Sequence, residues 1–291
     1  MAINSYPEAF LQDMHASLER LSTECPQERI YALIEGALNE TCYGLLKRTR
    51  HLPFEALYAN TASADEETLA LSPLLVEYQA DARHEWDTLI KKTNGKPALS
   101  IIATKESLVH LTHRLMPWCV VYAAGYTLAL SFADTRILPE LFEILTPAQR
   151  EELCGPMLRW QYVARDAQWA SLPVTGNDVP PADKVVLDEQ QCGYLTDASE
   201  ADNVLFHLRS VSSSAVNCHS PARAYVLVRQ WLACADHARI HSPPDRRHLC
   251  EWGLSHPGVE SQPQLTDWLQ SSGQTQSLDK LLDQFQAWIT V

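Results

Sequence analysis

The chain lacks the basic excess and the long apolar run that indicate nucleic-acid-binding and membrane-spanning proteins. Its 291 residues include 36 Asp and Glu against 23 Lys and Arg, a formal net charge of −13. Nucleic acids and anionic membrane surfaces bind basic patches, so we expect neither as a partner. The most apolar stretch, 118–132, is interrupted by Gly125 and is shorter than the roughly 18 residues that span a bilayer.

A secretory leader and paired cysteines are also missing. The first twenty residues have neither a basic start nor an apolar core, so we expect a cytoplasmic protein. The eight cysteines include no CxxC pair, the spacing typical of zinc ribbons and redox sites. In a reducing cytosol they are expected to be free thiols.

Common catalytic signatures do not occur in the chain. There is no GxSxG nucleophile elbow, no GxGxxG and no P-loop. The sequence therefore gives no support for a nucleophilic enzyme or a nucleotide site.

One segment, 234–256, is rich in residues that bind metals. His237 and His241 are one helical turn apart, but the intervening sequence lacks the glutamate of an HExxH site. This pattern leaves a metal-dependent hydrolase open as an alternative, with His237, His241, His248 and Cys250 as candidate ligands. The competing interpretation is a histidine-rich loop that ends a helix.

Hydrophobic periodicity predicts an α/β N-terminal lobe, with a small mixed sheet flanked by helices, and an all-α C-terminal lobe. We place these lobes at 1–170 and 185–291, joined by the Pro-, Asp- and Gly-rich linker 171–184. Short β-rich runs predict strands at 31–34, 57–59, 74–78 and 98–103, with a hairpin over 120–132. A helix that begins at Thr146 and Pro147 is predicted to run toward Arg165, with a break at Gly155 and Pro156 as the alternative.

Two charged residues follow the hairpin directly. Asp134 and Arg136 stand between the last apolar strand and the next helix, where an ion pair would fix the turn. On the helix before the hairpin, His110 and His113 share one face, with Arg114 alongside. We interpret that face as one exposed to solvent or to the neighbouring lobe rather than as a catalytic pair.

Several short sequence blocks follow one another in a defined order between Tyr31 and Trp160. In chain order they are YALIEGA (31–37), LYA (57–59), SPLLVE (72–77), FADTR (132–136) and GPMLRW (155–160). This order and spacing resemble the type VI secretion effector adaptors, also called effector chaperones. Glu35 stands where that family usually has Asp, and Thr135 where it has Pro; Arg114 is our assignment for the family's helical arginine.

The resemblance implies a non-enzymatic cytoplasmic protein without a cofactor. Its expected partners are a toxic type VI effector, which it holds, and the VgrG spike protein, onto which it promotes loading. The resemblance also implies structural or interaction roles, and no catalytic ones, for Glu35, Arg114, Asp134, Arg136 and Trp160. We expect the helical lobe to provide much of the cargo choice. A toxin-binding immunity protein remains a further alternative.

Overall fold

A computed structural model describes residues 2–49, 51–59, 64–123, 125–256, 258–259, 269 and 278–289. Contacts divide the chain into an N-terminal unit, residues 2–197, and a C-terminal unit, residues 198–291. The division falls inside a long helix, Glu189–Val211, and therefore beyond the segment 171–184 that the sequence suggested as a linker.

Most of the described strands form one sheet in the N-terminal unit. The strands are β1 (Arg29–Glu35), β2 (Phe54–Ala56), β3 (Pro73–Glu77), β4 (Leu99–Thr104), β5 (Val120–Ala123), β6 (Tyr126–Ala129), β7 (Met157–Val163), β8 (Trp169–Ser171) and β9 (Val186–Leu187). The helices that begin within this unit are α1 (Phe10–Glu24), α2 (Thr41–Arg48), α3 (Glu66–Leu71), α4 (Arg83–Lys91), α5 (Leu108–Leu115), α6 (Leu138–Ile144), α7 (Pro147–Cys154) and α8 (Glu189–Val211).

The main sheet has the strand order β2-β3-β1-β4-β7-β8, and every neighbouring pair is antiparallel. β1 lies at its centre, with Leu33 opposite Leu75 of β3 and Ser100 of β4. A second sheet has the order β6-β5-β9, in which β5 and β6 are antiparallel and β5 and β9 are parallel.

Side chains alternate across the main sheet and pack into two separate cores. Tyr31 and Leu33 of β1 join the first core, whereas Ala32 and Ile34 join the second. Successive residues of a strand point to opposite faces, so a strand with apolar residues at every position requires cover on both sides. Helices α5, α6 and α7 contribute to the first core, and α1, α2 and α4 to the second. The predicted α/β architecture is confirmed, with the main sheet as the middle of three layers.

Two local predictions from the sequence are wrong. The second strand is 54–56 rather than 57–59. The helix from Thr146 ends at Cys154, and 157–163 is strand β7, not helix. Gly155 has φ +49°, a left-handed conformation that turns the chain out of the helix, and Pro156 cannot continue it. The residues that follow pair with β4 instead.

The segment 171–184 has few regular elements but is anchored. Leu172 and Ala182 are buried in the first core, as is Val185 just beyond the segment. The backbone N–H of Leu172 donates to the Trp160 carbonyl at 2.9 Å. These contacts place the segment in the N-terminal unit.

The described part of the C-terminal unit is helical, as predicted. It contains the end of α8 with α9 (Ser213–Asn217), α10 (Pro221–His237), α11 (Pro243–Ser255) and α12 (Leu278–Ile289). Trp231 of α10 is completely buried in its core, where a Cβ at Gly253 would approach the indole Nε1 to 2.1 Å. Glycine at position 253 therefore allows α10 and α11 to pack closely. The sequence also predicts a helix over 264–269, which lies largely outside the described residues.

None of the helices in the described ranges is both long enough and apolar enough to cross a membrane.

Candidate functional site

Glu35 ends strand β1 with its carboxyl group inside the protein. The side chain is 2% exposed, and its Oε1 accepts a 3.4 Å hydrogen bond from the Ala37 N–H. Its Oε2 is buried without a hydrogen-bond partner. Burial, together with the nearby Asp134 carboxylate, raises the pKa of Glu35 to about 8. At neutral pH the group is therefore mainly the uncharged acid.

Asp134 and Arg136 form the ion pair that the sequence suggested at this junction. Arg136 donates from Nε to Asp134 Oδ1 at 3.0 Å and from Nη2 to Oδ2 at 2.5 Å. The Arg136 backbone N–H also donates to Oδ1, at 2.9 Å. Asp134 is 3% and Arg136 7% exposed, so the pair is buried and bidentate. It fixes the turn between β6 and α6.

Main-chain hydrogen bonds hold this turn beside Glu35. The Thr135 N–H donates to the Pro97 carbonyl at 2.8 Å, and the Glu35 N–H donates to the Ala98 carbonyl at 2.9 Å. The segment that precedes β4 therefore joins the end of β1 to the Asp134 turn. The structure brings together three of the residues suggested by the sequence, Glu35, Asp134 and Arg136.

Two further ionisable groups, which the sequence did not single out, lie within electrostatic reach of Glu35. Burial is the main cause that raises the pKa of Tyr58 to about 12, and the charges of Cys119 and Glu35 add to it. Burial also raises the pKa of Cys119, with Glu35 as the second cause. A thiol held protonated in this way is a poor nucleophile. The chemistry of the cluster favours a fixed internal network over proton or acyl transfer.

Arg114 is the centre of a second buried network. Its guanidinium donates to both carboxylate oxygens of Glu106 at 2.8–3.0 Å, to the Glu152 carbonyl at 2.8 Å and to the Val179 carbonyl at 2.9 Å. The side chain is 2% exposed. It therefore ties α5 to the end of α7 and to the segment around Val179.

Gly155 and Tyr31 complete the surroundings of Arg114. A Cβ at Gly155 would lie 2.2 Å from the Arg114 Cζ, so only glycine leaves room for the guanidinium. The Tyr31 hydroxyl donates to the Glu106 carbonyl at 2.8 Å. Sequence reasoning selected Arg114 but missed its partner Glu106, because the two are eight positions apart with a helix start between them.

Trp160 lies in the first core rather than on a surface. It is completely buried on β7, opposite Ile102 of β4, and its Nε1 donates to Ser100 Oγ at 3.1 Å. Its indole N–H is thus satisfied, as buried tryptophans usually require.

The candidate metal ligands are not assembled into a site. Cys250 is buried in the core of the C-terminal unit, and burial raises the pKa of its thiol to about 12. The His237 Nδ1–H donates along its own helix to the Ala233 carbonyl at 2.8 Å. Across the described ranges, which include all of 234–256, no group of three or more His, Cys, Asp or Glu side chains is arranged to bind a metal ion.

Comparison with known protein families gives a match for part of the chain. Residues 30–152 match the model of a family described as a domain of unknown function (DUF4123). That family is known as a type VI secretion effector-adaptor type of domain. The matched range contains Glu35, Arg114, Asp134 and Arg136, whereas Trp160 lies beyond it. No curated protein and no solved structure matches the chain.

Proposed function

We propose that this protein is a non-enzymatic adaptor that binds a specific type VI secretion effector and promotes its loading onto the VgrG spike protein in the cytoplasm. The match of residues 30–152 to the DUF4123 family is the observation that carries this proposal. The ordered blocks of the sequence between Tyr31 and Trp160 point to the same class.

The buried networks support a binding role over a catalytic one. Arg114, Asp134 and Arg136 are each less than 10% exposed and are satisfied by internal partners. A catalytic group must reach its substrate within hydrogen-bond distance. Groups held in this way instead rigidify the scaffold that presents its surfaces to partners.

Affinity purification from the native host tests this proposal. The tagged full chain is expected to recover both an effector and a VgrG protein, identified by mass spectrometry. Recovery of neither would sink the adaptor role. Protection of cells from the toxin when this chain is expressed alone would instead identify an immunity protein, and stoichiometric zinc in the purified chain would revive the metal-dependent alternative.

A further inference from the structure

Strand β6 is a four-residue strand at the edge of the second sheet. In the sheet order β6-β5-β9 it pairs with β5 alone, and no described strand lies on its other side. All four of its residues, Tyr126–Ala129, are exposed. Proteins usually protect such edges with lysine, proline or a bulge, because an open edge is a template for another strand. β6 contains neither residue, and its register with β5 is unbroken.

The hydrogen-bond pattern shows which backbone groups face outward. The Leu130 N–H donates to the Cys119 carbonyl, and the Tyr122 N–H donates to the Val185 carbonyl on the β9 side, each at 2.9 Å. In an antiparallel ladder the direction alternates from residue to residue. The N–H and C=O groups of Thr127 and Ala129 therefore point away from β5, toward the open edge.

The side chains around this edge are apolar. Tyr126 is 74% and Leu128 48% exposed on one face of β6. On the opposite face β6 carries the smaller Thr127 and Ala129, and Tyr122 of the neighbouring β5 has the Lys184 Nζ 3.4 Å from its ring centroid. An added strand would cover the large apolar side chains Tyr126 and Leu128 on one face of β6 while it completed the ladder.

Charge indicates the kind of strand that fits. Residues 2–197 contain 27 Asp and Glu and 16 Lys and Arg, so this unit carries −11 of the total −13. A second copy would bring an equal negative charge, and an acidic segment would be repelled in the same way. The complementary occupant is an extended segment with alternating apolar residues and basic flanks.

The position of the edge in the chain indicates which partner supplies that segment. Residues 120–129 lie within the range 30–152 that the family shares. A surface in the shared region suits the shared partner, whereas cargo differs from one adaptor to the next.

We infer that β6 binds an extended, apolar and basic segment of the spike protein by strand addition, with Thr127 and Ala129 making the main-chain hydrogen bonds. This inference rests on the adaptor role proposed above. It locates the spike-binding surface on the N-terminal unit and leaves effector binding to another surface.

The test is a proline at the outward-facing position, Thr127→Pro, in the full chain. Proline removes the outward N–H but no hydrogen bond to β5, and edge strands tolerate it in that orientation. The Kd for the purified VgrG protein of the host, measured by biolayer interferometry, is expected to rise about tenfold or more. Effector recovery is expected to remain at the wild-type level.

Ser171→Pro is the matched control. Ser171 lies on β8, the edge of the other sheet, and its N–H also faces away from its neighbour, since Leu172 donates to Trp160. Spike affinity of Ser171→Pro should equal that of the wild type. Circular dichroism melting checks that both proline variants are folded; Ala129→Pro replaces Thr127→Pro if the latter is not.

A measurement on the unaltered protein keeps the inference falsifiable whatever the variants do. Amide hydrogen exchange in the wild-type complex with VgrG is expected to slow at Thr127 and Ala129. Unchanged exchange there would overturn strand addition, and so would unaltered spike affinity in a folded Thr127→Pro.

The other outcomes separate the two proposals. If the wild type recovers spike and effector but Thr127→Pro loses only the effector, β6 is the cargo site and the inference is wrong. If the proline instead abolishes a dimer, the occupant is a second copy. If the wild type recovers neither partner, the adaptor role itself fails.

Discussion

At the scale of single residues, Glu35 is a carboxyl group buried where its ionised form is unfavourable. Its Oε2 has no hydrogen-bond partner, and the buried Asp134 carboxylate is nearby. Burying an ionised carboxyl without a partner is costly, so the group remains protonated well above its usual pKa. The folded state therefore binds a proton that the unfolded state releases.

This linkage predicts a pH dependence of stability. The pKa of Glu35 is about 8 in the folded protein against a reference value of 4.5. The contribution of the protonated group to the free energy of unfolding is therefore fully present below pH 4.5 and is lost as the pH rises toward 8. The slope approaches about 1.4 kcal/mol per pH unit inside that window. The free energy of unfolding of Glu35→Gln, measured by urea denaturation between pH 5 and 8, should lack this dependence on pH.

Glu67→Gln provides the control, because Glu67 is an exposed carboxyl on α3. It should keep the pH dependence of the wild type. Parallel curves for Glu35→Gln and the wild type would contradict the assignment of the linkage to Glu35.

Gly155 gives a second prediction at this scale. Alanine there would place its Cβ 2.2 Å from the Arg114 Cζ, at a backbone φ of +49°. The clash and the left-handed strain together should reduce the free energy of unfolding by about 2–4 kcal/mol. Chemical denaturation measures the loss.

Gly44→Ala is the comparison for that experiment. Gly44 lies within α2, where the nearest atom to an added Cβ is 3.8 Å away. Alanine should leave stability unchanged or raise it by about 0.5–1 kcal/mol. Equal losses at both positions would show that the Arg114 network does not constrain Gly155.

At the scale of elements, α7 is a short helix held at its start. The Thr146 Oγ1 accepts from the Gln149 N–H at 3.3 Å, and the Gln149 side chain accepts from the Thr146 N–H at 3.0 Å. Gln149 also donates to the Val186 carbonyl of β9 at 2.9 Å. The cap therefore links α7 to the strand beside β5.

We expect Thr146→Ala to reduce the free energy of unfolding by about 1 kcal/mol, the usual contribution of an N-cap hydroxyl. Thr146→Ser, which keeps the hydroxyl, should be close to the wild type in the same denaturation experiment. A loss shared by both variants would indicate that the methyl group, and not the cap, matters.

The sequence predicted the start of α7 correctly and left a break at Gly155 and Pro156 open, but it did not predict the strand that follows. Thr-Pro at 146–147 is a local helix-start signal, and it depends on nothing distant. The strand character of 157–163 depends on pairing with β4, 53 to 62 residues earlier in the chain. The buried positions on β7, Met157, Trp160 and Val163, are three residues apart, so the local pattern lacks the period of two that indicates a strand.

At the scale of the whole molecule, each unit has its own core. The two cores of the N-terminal unit lie on either face of the main sheet, and the C-terminal unit has a third core. Charge is divided unevenly as well, with −11 in residues 2–197 and −2 in residues 198–291. This organisation is suited to two binding surfaces that can be separated.

Deletion of residues 198–291 tests that separation. Because the remaining chain keeps both of its cores, it should fold and melt cooperatively by circular dichroism. It should bind VgrG but fail to capture the effector in co-purification. Effector binding by residues 1–197 would contradict the assignment of cargo choice to the helical unit.

The sequence by itself determined the class of fold and the family resemblance, because both depend on local apolar periodicity and on short blocks in a fixed order. It also selected Glu35, Arg114, Asp134 and Arg136. Only the tertiary structure decided what these residues do. The fold brings Glu106 into contact with Arg114 and Asp134 close to Glu35. The sequence separation of these residues does not predict either contact. The open edge of β6 is likewise tertiary, since an edge exists only once the order of strands is fixed.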